Sequence, residues 1–176
     1  MTFTKLGKTL SGFLSVCLLS ACTAIPQGIE PVDDFELPRY LGKWYEIARF
    51  DHSFERGLEQ VSAEYSLRED GGVTVLNRGF NPESQEWQEA QGKAYFVQNS
   101  ELGHLKVSFF GPFYASYVIF LLDKENYNYA VITGPERDYL WILARTPTLP
   151  SELQQQILQQ ARAAGFATDK LIWVKH

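Results

Sequence analysis

Apolar and polar residues alternate with a period of two along most of this chain. Val61, Ala63, Tyr65 and Leu67 fall on one side of a run whose other side is Ser62, Glu64, Ser66 and Arg68, as expected of a strand with one dry face and one wet face. Asp70-Gly71-Gly72 is a turn signal leading into a run from Val73 to Phe80, and Asn81-Pro82-Glu83-Ser84 leads into another from Trp87 to Val97. Leu105, Val107 and Phe109 alternate with His104, Lys106 and Ser108, and later runs cover Ala115 to Asp123, Tyr127 to Thr133 and Tyr139 to Arg145. With an opening run from Trp44 to about Asp51, the pattern predicts eight strands.

Short strands joined by tight turns predict an all-β fold, an eight-stranded antiparallel up-and-down β-barrel in which closure removes the exposed edges. A barrel of this size encloses its own side chains or one small ligand, and no aqueous channel. A two-sheet sandwich is the alternative, but it needs crossovers longer than most of these turns. The period then lengthens. Ser151-Glu152-Leu153-Gln154 predicts a capping box, Leu153, Ile157, Leu158 and Ala161 share one stripe, and Gly165 supplies a stop. This is a C-terminal α-helix packed on the outside of the barrel, followed by a last short strand from Leu171 to Val174.

The first residues belong to no such pattern. Lys5 and Lys8 precede an apolar stretch from Leu10 to Leu19, with small residues Ser20-Ala21 after it, which is the layout of a secretory signal cleaved after residue 21. The stretch is well short of the roughly 20 residues that span a bilayer. Leu19-Ser20-Ala21-Cys22 resembles the lipobox of bacterial lipoproteins, and the resemblance implies diacylglycerol on the Cys22 thiol and a fatty acyl chain such as palmitate on its amine. Each buried methylene of such chains contributes about 0.8 kcal/mol to membrane attachment. Residues 22–34 contain Pro, Gly and acids without apolar periodicity, so they are expected to form a loose, lipid-anchored tether. The domain proper is expected over residues 35–176.

Composition narrows the chemistry. The chain of 176 residues suits one domain and holds two cysteines. With Cys17 lost in the signal and Cys22 acylated, no disulfide, thiol nucleophile or cysteine metal site is expected. Loss of Lys5 and Lys8 moves the formal charge from −5 to −7, since no acid lies among the first 21 residues. That argues against nucleic acid or an anionic surface as a partner.

Gly42-Lys43-Trp44-Tyr45, preceded by the short turn-forming segment Leu37-Pro38-Arg39-Tyr40, resembles the lipocalin Gly-x-Trp signature. Arg145-Thr146-Pro147 ends the eighth run just before the helix, where lipocalins place an arginine over that tryptophan. The run Tyr139-Leu140-Trp141-Ile142-Leu143-Ala144-Arg145-Thr146-Pro147 is most similar to the bacterial lipocalin and apolipoprotein D branch. The resemblance implies a structural role for Gly42, Trp44 and Arg145, with the guanidinium stacked on the indole and its donors on nearby carbonyls. Where the family has Thr-Asp-Tyr after the sixth strand, this chain has Leu122-Asp123-Lys124.

If Trp44 points inward, alternation places Glu46, Tyr65, Val75, Asn77, Ala90, Gly92, Ala94, Phe96, Leu105, Val107, Phe109, Tyr139, Trp141 and Leu143 inside, and the resemblance adds Tyr117, Ile119 and Leu121. The expected ligand wall is Tyr65, Val75, Asn77, Phe96, Leu105, Val107, Tyr117, Ile119, Trp141 and Leu143, an apolar and aromatic lining with few polar handles. The small residues Ala63, Ala90, Gly92 and Ala94 predict internal space. The segment from Asp51 to Gln60, carrying Phe54 and Leu58, is expected to cover the open end as a lid, with Gly111-Pro112-Phe113-Tyr114 as an aromatic rim beside it.

These readings describe an envelope binding protein for a lipid, with fatty acid or lysophospholipid implied by the resemblance, and no cofactor, metal or catalytic residue. Thr23 is not the Asp that usually retains such lipoproteins in the inner membrane, which points to the periplasmic face of the outer membrane. Glu46 is the residue that an enzyme would use, as a buried acid, and a hydrogen-bonded structural role is the competing one. An envelope-lipid-processing enzyme and an anchored protein-interaction module remain as alternatives. Pairing occurs in the bacterial branch, so a homodimer stays open.

Overall fold

The computed structural model describes residues 23–176. The signal expected at 1–21 and the acylation candidate Cys22 lie outside the described residues. Eight strands run β1 (Gly42–Arg49), β2 (Glu59–Leu67), β3 (Val73–Asn81), β4 (Glu86–Phe96), β5 (His104–Ser108), β6 (Ala115–Leu122), β7 (Tyr129–Thr133) and β8 (Leu140–Ala144). Each pairs antiparallel with the next, and β1 pairs with both β2 and β8, so the sheet closes on itself. A short strand β9 (Ile172–Trp173) joins β1 at Ala48 and Arg49, beyond the stretch of β1 that pairs with β2. Among the described residues the α-helices are the single turn α1 (Leu37–Tyr40) and α2 (Ser151–Ala163).

Two apolar cores follow from the alternation. One fills the barrel base around Trp44, Ile119, Ala130 and Ile132, all fully buried. The other lies between α2 and the outer faces of β1, β6, β7 and β8, where Ile157 and Ala161 of the predicted stripe meet Val118, Val131 and Ile142. Gly165 ends α2 as expected: its φ is +89°, its N–H reaches Arg162 O at 2.9 Å, and Phe166 N–H reaches Ala161 O at 3.1 Å.

Three local expectations are corrected. The capping box does not form, because Pro150 is the N-cap and has no N–H for a side chain to accept; Gln154 donates instead to Leu149 O at 2.8 Å. A register shift between Ile119 and Leu121 resets the alternation of β6, so Leu121 faces the α2 core and Leu122 faces the barrel core. Tyr127 is not in β7: it sits at φ +56° in the preceding turn, its ring buried in the barrel core. That turn is held by Asp123, whose carboxylate accepts from the N–H groups of Asn126 and Asn128.

The segment read as loose is also ordered from residue 25 on. Ile25 and Ile29 pack on the α2 core, Val32 exchanges backbone bonds with Ile119 and Gly103, and Phe35 donates to Glu101 O.

Candidate functional site

The barrel has one sealed end and one lidded end. At the sealed end Arg145 stacks over Trp44, 3.9 Å from the ring centroid, and donates to the carbonyls of Lys43, Arg39, Leu41 and Tyr127. Trp44 Nε1 donates to Tyr40 O at 2.7 Å, which ties α1 across the floor. Gly42 is at φ +89°, and a Cβ there would lie 3.6 Å from the Arg145 guanidinium.

Above the floor, three phenols meet. Tyr40 from α1, Tyr65 from β2 and Tyr117 from β6 converge so that the Tyr117 hydroxyl stands 2.7 Å from that of Tyr40 and 2.8 Å from that of Tyr65. Burial holds all three hydroxyls above the ordinary phenol range, with Tyr65 pushed up to about 12. Together with Phe35, Leu37, Val73, Val75, Ala94, Leu105 and Val107, they line a cavity of about 10 Å³. That is close to the least that holds one water. The internal space expected from small residues is therefore mostly filled at this level. Gly92 shows why, since a Cβ there would stand 2.8 Å from the Phe109 ring, which occupies the room.

The upper wall is more open. Asn77, Val107, Phe109, Tyr117 and Trp141 are only partly buried, and Ala90, across from Asn77 on β4, is exposed. The segment from 51 to 58 folds over this end. Glu55 is buried within it, Leu58 reaches the space over Gly79, and Phe54 stays exposed. Phe113 of the predicted rim is also exposed, as is the neighbouring Phe110, in the β5–β6 connection at the same end.

A buried charge cluster joins lid to wall. A register shift between Glu46 and Ala48 lets Glu46 and Arg49, three apart, meet on the same side of β1. Arg49 donates to Glu46 Oε1 at 2.7 Å, to Glu55 O at 2.7 Å and to Leu58 O at 3.3 Å, while Glu55 Oε1 accepts from Trp141 Nε1 at 3.0 Å. Two carboxyls thus share one guanidinium in a dry place. Burial, and then the charge of Glu55, push Glu46 up to about 8 against the lowering effect of Arg49; Glu55 is raised too, chiefly by burial. Beside them His52 stacks on Tyr139 at 4.5 Å, and burial lowers its pKa. The hydrogen-bonded structural contact weighed for Glu46 is present in the Arg49 bond.

Five of the expected wall residues, Tyr65, Val75, Leu105, Val107 and Tyr117, line the cavity. Ile119 and Leu143 are deeper, in the core around Trp44, while Phe96 packs edge-on against Phe35 near the base. Trp141 belongs to the lid contact and Asn77 to the upper wall. Sequence reasoning missed Phe35, Leu37 and Tyr40 as lining residues. The spacing of Leu37, Tyr40 and Leu41 at i, i+3, i+4 was the available signal for a helical turn with one apolar face.

Residues 35–176 match the model of the lipocalin-like domain. The chain belongs to the lipocalin family. Over 165 residues this lipocalin is 57% identical to the outer membrane lipoprotein Blc of Vibrio cholerae, an alignment covering 93% of this chain and 96% of that one. It is 54% identical to Blc of Escherichia coli K12, covering 90% of each, and 35% identical to mouse apolipoprotein D, covering 79% of this chain and 76% of that one. Among solved structures, insecticyanin of the tobacco hornworm superposes with a TM-score of 0.69 at 19% identity, covering 87% of each chain, which shows a shared fold. Lipocalins are binding proteins.

Proposed function

We propose that this lipocalin is a lipid-binding protein of the cell envelope, anchored to the outer membrane through acyl chains on Cys22 and facing the periplasm, that stores or carries a fatty acid or lysophospholipid. The observation that carries the reading is the gradient along the barrel interior: a packed base, a small cavity with an otherwise apolar lining above it, and an upper wall of Val107, Phe109, Tyr117 and Trp141 left partly accessible beneath a lid. An amphiphile needs a dry wall for its chain and an opening for its remaining part. The names of the Blc relatives, which match over nine-tenths of the chain, support the outer-membrane lipoprotein placement. No helix among the described residues is long and apolar enough to cross a membrane.

The filled base supports a second reading, in which the barrel displays its rim to an envelope protein and its cavity is incidental. One experiment separates the readings. Residues 23–176 are expressed in soluble form, extracted with organic solvent, and the extract is analysed by mass spectrometry, with added lysophospholipid then titrated against Trp fluorescence. Co-purifying lipid and saturable binding support carriage; an empty barrel that takes up nothing supports display; breakdown of the added lipid would require an enzyme. For the anchor, labelled palmitate should enter the full chain and fail to enter Cys22→Ser, which should also leave the membrane fraction.

A further inference from the structure

The turn between β5 and β6 carries the two most exposed large apolar side chains among the described residues. Phe110 is 82% exposed and Phe113 is 75% exposed. Neither belongs to a buried core, and water-facing phenyl rings grouped at one turn mark a surface of interaction. The charge around them also differs from the rest of the chain. Residues 103–122 contain no Asp or Glu, and Lys106 is their one Lys or Arg; its Nζ stands 5.2 Å from the centre of the Tyr114 ring, just behind the tip. The whole chain carries a formal −5, so this acid-free hairpin is spared the repulsion that anionic headgroups exert on the remainder.

The start of the described chain lies against the same hairpin. His104 of β5 and Ser116 of β6 alternate with core-facing Leu105 and Tyr117, so they point outward, and they join Nε2 to Oγ at 2.9 Å. Both are buried, and the backbone of Thr23 lies beside the His104 ring, opposing the lowering of its pKa by burial. From there Ile25 and Ile29 pack on the α2 core, which leaves little slack between the barrel and Thr23. Thr23 is bonded to Cys22, the acylation candidate. Ser116 is three residues from Phe113, a reach of at most about 10 Å. The anchor point and the apolar tip therefore share one edge of the barrel.

We infer that Phe110 and Phe113 insert into the lipid surface that holds the acyl chains of Cys22, so that the barrel rests with its open end toward the bilayer. The inference rests on the proposed acyl anchor and adds a second point of contact and an orientation. Acyl chains buried at Cys22 bring the tip to headgroup level, where the phenyl rings leave water. Tyr114 and Lys106 suit the same layer, in which amphipathic rings and the ends of long cationic side chains collect. Phe54 of the lid is exposed at the same end of the barrel. A ligand leaving over the upper wall then meets lipid before it meets water.

The test uses the full chain, acylated in cells and reconstituted into vesicles of phosphatidylethanolamine and phosphatidylglycerol whose acyl chains carry a nitroxide. With Cys17 removed in the signal and Cys22 blocked by acylation, Phe113→Cys supplies the thiol that takes an environment-sensitive fluorophore. Phe110→Cys repeats the reading independently, and Glu69→Cys, exposed in the β2–β3 turn at the opposite end, is the control. Labels at 113 and 110 should shift to the blue on reconstitution and lose most of their emission to the nitroxide, while the label at 69 keeps its emission. Protein that floats with the vesicles yet is quenched no more at 113 and 110 than at 69 overturns the docking and leaves the anchor standing. A blue shift without nitroxide quenching means that a second copy covers the tip, and overturns it as well. Protein that does not float with the vesicles overturns the anchor reading, and this inference with it.

Discussion

The indole nitrogen of Trp141 donates to the carboxyl oxygen of Glu55 at 3.0 Å across a sequence separation of 86 residues, fastening the lid to the eighth strand. The contact gives Trp141 two jobs, as a face of the upper wall and as a clasp. Trp141→Phe keeps most of the ring and removes the donor, leaving the Glu55 carboxyl with Arg49 Nε at 3.9 Å. The expected loss is about 1–3 kcal/mol of stability, with faster amide hydrogen exchange over residues 52–58 and unchanged protection in β6 and β7. Unaltered exchange in the lid would separate the indole from its closure.

The Glu46 carboxyl gives the fold a pH dependence of definite sign. Its folded pKa of about 8 lies above the ordinary 4.5, so between those values the folded state binds more protons than the unfolded state. Stability is then full below about pH 4.5 and declines as pH rises toward 8, with a limiting slope of about 1.4 kcal/mol per unit. The burial-lowered His52 and His104 act oppositely, but below their ordinary value of 6.5. Urea unfolding from pH 6.5 to 8 should therefore show the decline, and Glu46→Gln should flatten it. A parallel slope in the variant would assign the proton elsewhere.

Arg49 should be less replaceable than either carboxyl, because its guanidinium serves Glu46 and two lid carbonyls at once while almost fully buried. Arg49→Ala strands those acceptors and is expected to cost about 3–5 kcal/mol, measured as the shift in urea midpoint. Arg49→Lys, with a point charge and no planar fork, should recover only part of it. Full recovery by lysine would mean that charge, and not geometry, holds the cluster.

Arg145→Ala removes four carbonyl contacts and the stack on Trp44 in one step. A loss of about 3 kcal/mol is expected, together with a red shift of tryptophan emission as the floor admits water. Lipid affinity, corrected for the folded fraction, should change little. A selective loss of binding in fully folded Arg145→Ala would move this residue from floor to ligand site.

Gly92→Ala should be poorly tolerated, since the new Cβ would stand 2.8 Å from both the Phe109 ring and Ser108 O. About 1–3 kcal/mol is expected from overpacking, read from the thermal midpoint. Adding Phe109→Ala should return part of it by vacating the ring's position. No recovery in the double variant would put the strain on the Ser108 backbone.

The fold was legible because its signals are periodic and repeated. Val61 to Arg68 reads as a half-buried strand from any starting point, and Trp44 with Arg145 marks the two chain segments that meet at the floor. The misses are places where periodicity breaks. Leu121 is placed inside by the resemblance together with Tyr117 and Ile119, and a register shift in β6 gives its place to Leu122. The bulge in β1 leaves no trace in parity, so Glu46 was read as inward but its bond with Arg49 was not foreseen. Tyr40 lies in one helical turn whose only signal is the spacing of Leu37, Tyr40 and Leu41, and Gly92 signals space only until Phe109 is known to fill it.

The last strand is small, but its position has a consequence for how the barrel comes into being. Val174 N–H binds Ile47 O, Lys175 O receives Gln60 N–H, and the His176 ring reaches Glu46 O. The seam where the first strand parts from the second is thus stitched by residues 174–176. Closure of that seam therefore waits on a segment that follows all eight barrel strands in the chain.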